Sequence, residues 1–262
     1  MPRTTRSPAS AAFDDPPVTT VRERPSPNHD ARPAGQVVDM LILHYTGMPT
    51  AEAALDRLCD PAARVSAHYA VDEDGTVTRL VAEERRAWHA GVASWRGDAA
   101  INARSIGIEL VNPGHAFGYR AFPAPQLEAL VALARGLVER HPIPARHVLG
   151  HSDVAPARKE DPGELFPWKA LAARGIGLWP PHEPVKGEMG MVLSEGSGGP
   201  AVHALQQALA RFGYGVPVHG AFDRTTAQVV TAFQRHFRQS RVDGVADPET
   251  AQMAFAVAAL AD

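Results

Sequence analysis

Apolar positions recur along this chain with two periods, and the changes of period mark out its elements. Val37-Val38-Asp39-Met40-Leu41-Ile42-Leu43 is apolar at six of seven positions ahead of His44, which predicts a strand covered on both faces and ending at an imidazole. The spacing predicts a short helix over 50–58, with Thr50 as its cap. Stretches 67–71 and 76–80 flank Asp72-Glu73-Asp74-Gly75, and the Asp-Gly pair predicts a β-hairpin. A second buried strand is expected over 105–111, where the charged outlier Glu109 must face water or a compensating cation. Leu127, Leu130, Val131, Ala134, Leu137 and Val138 give an amphipathic helix over 125–139, ended by His141-Pro142. Three more apolar stripes follow: one from Val202, one from an Asp223 cap to Phe237, and one from Asp247-Pro248 to Leu260. The expected class is α/β, a mixed central sheet flanked by helices and followed by a small three-helix domain.

Punctuation between these elements divides the chain. Residues 1–35 are rich in Pro, Ser, Thr, Arg and Asp without an apolar period, and read as a leader and N-terminal arm. Residues 36–179 form the main domain, 180–200 a linker of Pro, Gly and Ser, and 201–262 the tail domain, its separate stripes implying a core of its own. A chain ending near Pro180 is accordingly expected to keep the chemistry. The run Glu83-Glu84-Arg85-Arg86 reads as solvated surface, and Cys59, the single cysteine, as a small buried hydrophobe. With one cysteine no internal disulfide forms. A formal net charge of -3 offers no field for a polyanion, so nucleic acid is not an expected partner. No apolar run approaches the ~18 residues of a membrane span. Asp14-Asp15-Pro16-Pro17 interrupts any signal-peptide pattern, giving a cytoplasmic expectation, or an envelope location if a leader lies outside the chain.

Candidate chemistry concentrates in 148–163, read as a loop because Pro and Gly break a run that supplies His151, Asp153, Lys159 and Asp161. Two histidines and a carboxylate would leave zinc an open fourth position for water. Spacing alone does not choose the pair, since the chain has 12 histidines and His44, His68, His89, His147 and His151 all qualify. Trp88-His89-Ala90-Gly91 and Trp95 suit a groove wall or half-buried packing equally.

Five blocks in order settle the choice: His44-Tyr45-Thr46, Ser66-Ala67-His68-Tyr69, Ala87-Trp88-His89-Ala90-Gly91, Ile106-Gly107-Ile108-Glu109, and Gly150-His151 followed by Arg158-Lys159-Glu160-Asp161-Pro162-Gly163. Together they resemble the zinc-dependent type 2 N-acetylmuramoyl-L-alanine amidases, and Ser26-Pro27-Asn28 with Arg32-Pro33 resembles the arm of their long muropeptide subgroup. The resemblance implies zinc on His44, His151 and Asp161, Glu109 as the acid and base at the attacking water, and Lys159 facing the scissile carbonyl. It makes Tyr45, His68, Trp88 and His89 substrate-side candidates, with peptidoglycan or muropeptides as partner. The other reading, a non-catalytic peptidoglycan recognition protein, is opposed by the complete ligand set. The tail resembles a three-helix peptidoglycan-binding domain, departing from its pattern at His219, Asp223 and Asp247, and is expected to hold polymer or to brace the enzyme.

Overall fold

The apolar run ahead of His44 becomes the centre of a six-stranded sheet. In the computed structural model, which describes residues 21–181 and 190–260, eight strands form. They are β1 (Val21–Glu23), β2 (His29–Ala31), β3 (Met40–Tyr45), β4 (Tyr69–Val71), β5 (Val77–Arg79), β6 (Arg85–Ala87), β7 (Ser105–Leu110) and β8 (Val148–Gly150). The sheet order is β1-β5-β4-β7-β3-β8, with β2 and β6 as a separate antiparallel pair. β3 lies parallel between β7 and β8, and the hairpin expected around Asp74-Gly75 is the antiparallel β4–β5 pair. The first twenty residues and 182–189, in the expected leader and linker, lie outside the described residues.

Helices fall where apolar spacing and caps put them. Thr50 caps α1 (Ala51–Cys59), and α4 (Ala124–Arg140) matches the long amphipathic segment. Four short helices, α2 (Ile101–Arg104), α3 (Gly114–Phe117), α5 (His151–Val154) and α6 (Trp168–Ala173), join the larger pieces. The tail holds α7 (Pro200–Phe212), α8 (Arg224–Phe237) and α9 (Pro248–Ala259). Asp223 and Asp247, two of the departures from the tail-domain pattern, accept the backbone N–H of Thr226 and Thr250 and so cap α8 and α9.

Two expectations change, and the arm is seen bound to the main domain. The 148–163 segment is not loop throughout, because Val148–Gly150 pairs with Leu41–Leu43 and only then does the chain turn into α5. The Glu83-to-Arg86 run is not plain solvated surface. Glu83 accepts hydrogen bonds from Tyr69 Oη (2.6 Å) and Arg140 Nη2 (2.8 Å) and faces His141 Nε2 at 2.6 Å, while Arg85 and Arg86 belong to β6. The arm is bound along its described length. Asn28 Nδ2 donates to Asp60 O and Val65 O at 2.8 Å each, and the Arg32 guanidinium donates to the carbonyls of Glu83, Asn102, Ala103 and Ser105.

The period-two alternation of β3 sorts the two faces of the sheet. Leu41 and Leu43 pack with Ile106, Ile108 and the α4 residues Leu130, Ala134 and Leu137. Met40 and Ile42 face the other way, into an apolar cluster shared with Trp95, Leu149 and Val154 of the main domain and Leu205, Phe212, Tyr214, Phe233 and Phe237 of the tail. The self-contained core expected of the tail is therefore not what the packing gives. Truncation near Pro180 would uncover Trp95, which is fully buried with its ring edge-on to Phe212 and Tyr214 at centroid distances of 5.3 and 5.1 Å. Trp95→Ala is expected to lower the unfolding free energy by about 3–5 kcal/mol in a urea titration followed by circular dichroism. A loss below about 1 kcal/mol would mean that the two parts touch without stabilising each other.

Candidate metal centre

His44 sits on the same face of β3 as Met40 and Ile42, one residue from the strand's end, and is directed toward the segment that leaves β8. His151 opens α5 immediately after β8, and Asp161 returns to meet it through a hydrogen bond from Ser152 N–H to Asp161 O (3.0 Å). Gly150 makes that return possible, since a Cβ there would meet Pro162 Cδ at 2.8 Å. His44 Nδ1 lies 3.0 Å from His151 Nδ1 and 2.9 Å from Asp161 Oδ2, and His151 Nδ1 lies 3.0 Å from the same oxygen.

All three side chains are buried. Donors held ~2.0 Å from a tetrahedral ion stand roughly 3.3 Å apart, so this spacing fits a metal. Among the described residues this trio forms a group whose ligand atoms all lie within 4.8 Å of one another.

The far nitrogens of both rings fix their tautomers. His151 Nε2–H donates to Ala90 O at 3.0 Å, leaving Nδ1 as a lone pair. With His44 Nδ1 also kept for a metal, its Nε2–H donates to His89 Nδ1 (3.1 Å), His89 Nε2–H to Ser105 Oγ (3.1 Å), and the Ser105 hydroxyl to Ile101 O (2.6 Å). His89 fits above β7 because Gly107 has no side chain; a Cβ there would stand 2.5 Å from the imidazole. Burial, and next the neighbouring His151, lower the His44 pKa to about 4, and burial with the surrounding histidines holds His89 well below its ordinary value. His44 is thus held neutral, as ligation requires, and so is the His89 ring that accepts its Nε2–H. Burial works against ionisation of Asp161, and positive charge facing it, from a protonated imidazole or from a cation in its place, outweighs that and keeps its pKa below the ordinary range.

Glu109 is paired with His44 across β7 and β3, so both side chains leave the same face of the sheet. Its Oε2 is buried without a hydrogen-bond partner. Burial and then the Asp161 charge push its pKa well above the carboxylate range, while Lys159 pulls the other way. These residues border a cleft of about 580 Å³, walled by Tyr45, Trp88, His89, Arg158 and Lys159.

Of the four substrate-side candidates, Tyr45, Trp88 and His89 line the cleft and His68 does not. His68 is fully buried beneath it, accepting Gly107 N–H at Nδ1 (2.9 Å), with Nε2 against Arg85 O and the Arg32 guanidinium. Its position is structural, because every polar atom of the ring is occupied inside the protein. His147 is also away from the trio, facing Asp39 O. Sequence reasoning missed Arg235, which reaches the cleft from α8, and the His89–Ser105 connection behind His44. A signal for the tail's involvement was present in His236, a polar residue in the apolar stripe of α8 that needs a buried partner.

Comparisons with known proteins agree with this geometry. Residues 34–164 match the N-acetylmuramoyl-L-alanine amidase family and 198–253 a peptidoglycan binding domain family. The chain is 37% identical over 238 residues to the N-acetylmuramoyl-L-alanine amidase AmiD of Escherichia coli strain K12, covering 84% of this chain and 82% of that one. The structure of E. coli AmiD in complex with the substrate anhydro-N-acetylmuramic acid-L-Ala-D-gamma-Glu-L-Lys superposes with a TM-score of 0.73 at 35% identity, covering 86% of this chain and 91% of AmiD. AmpDH3 from Pseudomonas aeruginosa gives a TM-score of 0.70 at 33% identity, covering 86% and 92% of the two chains. Match, fold and a buried trio of ligand side chains lead to one conclusion: the chain belongs to the N-acetylmuramoyl-L-alanine amidase family.

Proposed function

We propose that this protein is a zinc-dependent N-acetylmuramoyl-L-alanine amidase of peptidoglycan turnover. The bond hydrolysed is the amide between the lactyl group of N-acetylmuramic or 1,6-anhydromuramic acid and L-alanine of the stem peptide. The observation that carries this reading is the convergence of His44, His151 and Asp161 at the floor of an open cleft. Two imidazole nitrogens and one carboxylate oxygen suit zinc, and three protein ligands leave the fourth tetrahedral position open, as hydrolysis requires. A cleft of about 580 Å³ has the size to admit a muropeptide of the class bound by E. coli AmiD.

Zinc held there supplies Lewis-acid polarisation of the scissile carbonyl and acidifies water toward a pKa of ~7. Glu109, beside the ligands and with a free buried oxygen, takes a proton from the attacking water and returns it to the departing amine of L-alanine. Burial favours the protonated carboxyl and Lys159 the anion, so both forms that the transfer passes through have support in the site. Lys159, on the cleft wall, opposes the negative charge that develops on the carbonyl oxygen. Trp88 offers a flat apolar wall against which a sugar ring or peptide stem can lie. A binding-only protein would have no use for Glu109 beside a complete set of ligands.

Incubating the zinc-loaded protein with anhydromuropeptides and reading the products by mass spectrometry is expected to show free stem peptide beginning at L-alanine. His151→Ala should lose most bound zinc and nearly all turnover, because two protein ligands remain. Glu109→Gln should keep parent zinc stoichiometry while turnover falls at least ~100-fold. Normal rates in either variant would reject the assignment.

Lys159 also leaves a signature in pH dependence. Its positive charge favours the Glu109 anion, so Lys159→Met should let Glu109 keep its proton to higher pH. The acid limb of the kcat/KM profile is therefore expected to move upward in pH. An acid limb that stays in place or moves downward would separate Lys159 from Glu109.

A further inference from the structure

Two of the three proposed ligands come from one short segment, and α8 grips that segment beside each of them. Asp153, two residues beyond His151, is buried and carries three hydrogen bonds. Gly150 N–H donates to its Oδ2 at 2.7 Å from within the segment. From the tail, His236 Nδ1–H donates to Oδ2 at 2.8 Å and Tyr214 Oη–H to Oδ1 at 2.5 Å. The His236 ring also stacks on Trp168 with centroids 3.8 Å apart, and Trp168 in turn lies under Gly150. At the other end, Glu160 directly precedes Asp161, and Arg235 Nη2 donates to its Oε1 at 3.1 Å. Arg235 and His236 are consecutive on α8, so one rigid helix holds both ends of the ligand segment.

A surface tether needs none of this. Buried carboxylates are costly unless fully hydrogen-bonded, so Asp153 settles where Tyr214 and His236 satisfy it, and α5 is fixed with it. His151 stands at the first position of α5, where a rotation of the turn would carry Nδ1 away from His44 and Asp161.

We propose that the C-terminal helical region positions the metal centre: Tyr214 and His236, acting through Asp153, and Arg235, acting through Glu160, set the separation of His151 and Asp161. The inference rests on those residues being metal ligands, and makes the tail part of the catalytic apparatus, whatever it does with polymer. Tyr214, Arg235 and His236 are positioning residues in this role.

The test uses the full chain. In Tyr214→Phe/His236→Phe the apolar bulk and a ring against Trp168 remain, while Asp153 loses both donors from the tail. Zinc dissociation constants from competition with a chromogenic chelator are expected to rise about 10–100-fold, the usual scale for groups that orient a ligand. The visible absorption of the cobalt-substituted protein should change in shape, and kcat at saturating zinc should fall more than KM rises. His236→Asn, which restores a donor near the Nδ1 position, should recover affinity and spectrum toward the parent.

Arg235→Gln should weaken zinc binding separately, and combining it with Glu160→Gln should add little. If the double variant fails to fold by circular dichroism, Tyr214→Phe alone removes one hydroxyl and is expected to shift the zinc constant in the same direction. Parent zinc affinity and cobalt spectrum in folded Tyr214→Phe and in the folded double variant would overturn the proposal while leaving the metal site standing. Failure of the parent itself to bind zinc or cobalt would overturn the site and this inference together.

Discussion

Two imidazole nitrogens facing each other at 3.0 Å, with a buried carboxylate oxygen equally close to both, form an arrangement that proteins do not adopt for its own stability. Lone pairs of like polarity repel, and each group has been taken from water. The surrounding structure must therefore impose the geometry. Rigid β3 fixes His44, and the absence of side chains at Gly107 and Gly150 lets His89 and Pro162 approach. Hydrogen bonds on the outer nitrogens orient both rings with their inner nitrogens turned toward the site. The same low-dielectric surroundings raise the pKa of Glu109, so the burial that makes the trio costly also acts on its neighbour.

Segments at both ends of the described chain take part in this imposition. The arm ties down cleft walls through Ser26 on Leu58 O, Asn28 on Val65 O and Ser66 Oγ on Asn28 O, while Trp88 N–H donates to Ser66 Oγ. Arg32 closes the space behind His68 by donating to backbone carbonyls that meet there. From the opposite end, the tail covers the sheet face from which His44 projects and supplies Arg235 to the cleft. Regions that look peripheral in the chain thus determine the shape of its centre.

Much of the architecture was legible because it is local. Period-two and period-3.6 patterns, the Thr50, Asp223 and Asp247 caps and the Asp74-Gly75 turn are each decided within a few residues, and the strands and helices they imply formed within a residue or two of expectation except at the start of β3, which begins three residues after Val37. Short elements were not legible in this way. β1, β2 and β6 are three residues each, carry exposed or half-buried charges, and exist because a partner strand is present. Val148–Gly150 is likewise three residues long and exists through its pairing with β3, so the sequence alone merges it with the segment that follows.

For the site, the sequence by itself determined the ingredients: a histidine at the end of a buried strand, a lone glutamate within another, and a polar segment carrying His151, Lys159 and Asp161. The family resemblance chose among equivalent histidines, a choice that spacing left open. Only the tertiary structure decided that His68 is enclosed while His89 backs His44, that Asp153 joins the tail instead of the cleft, and that Arg235 belongs to the cleft wall. The physical reason is that a strand or helix is encoded by neighbours in sequence. A buried polar atom finds its partner anywhere in the chain: His236 and Asp153 are 83 residues apart, and meet because each leaves the other satisfied.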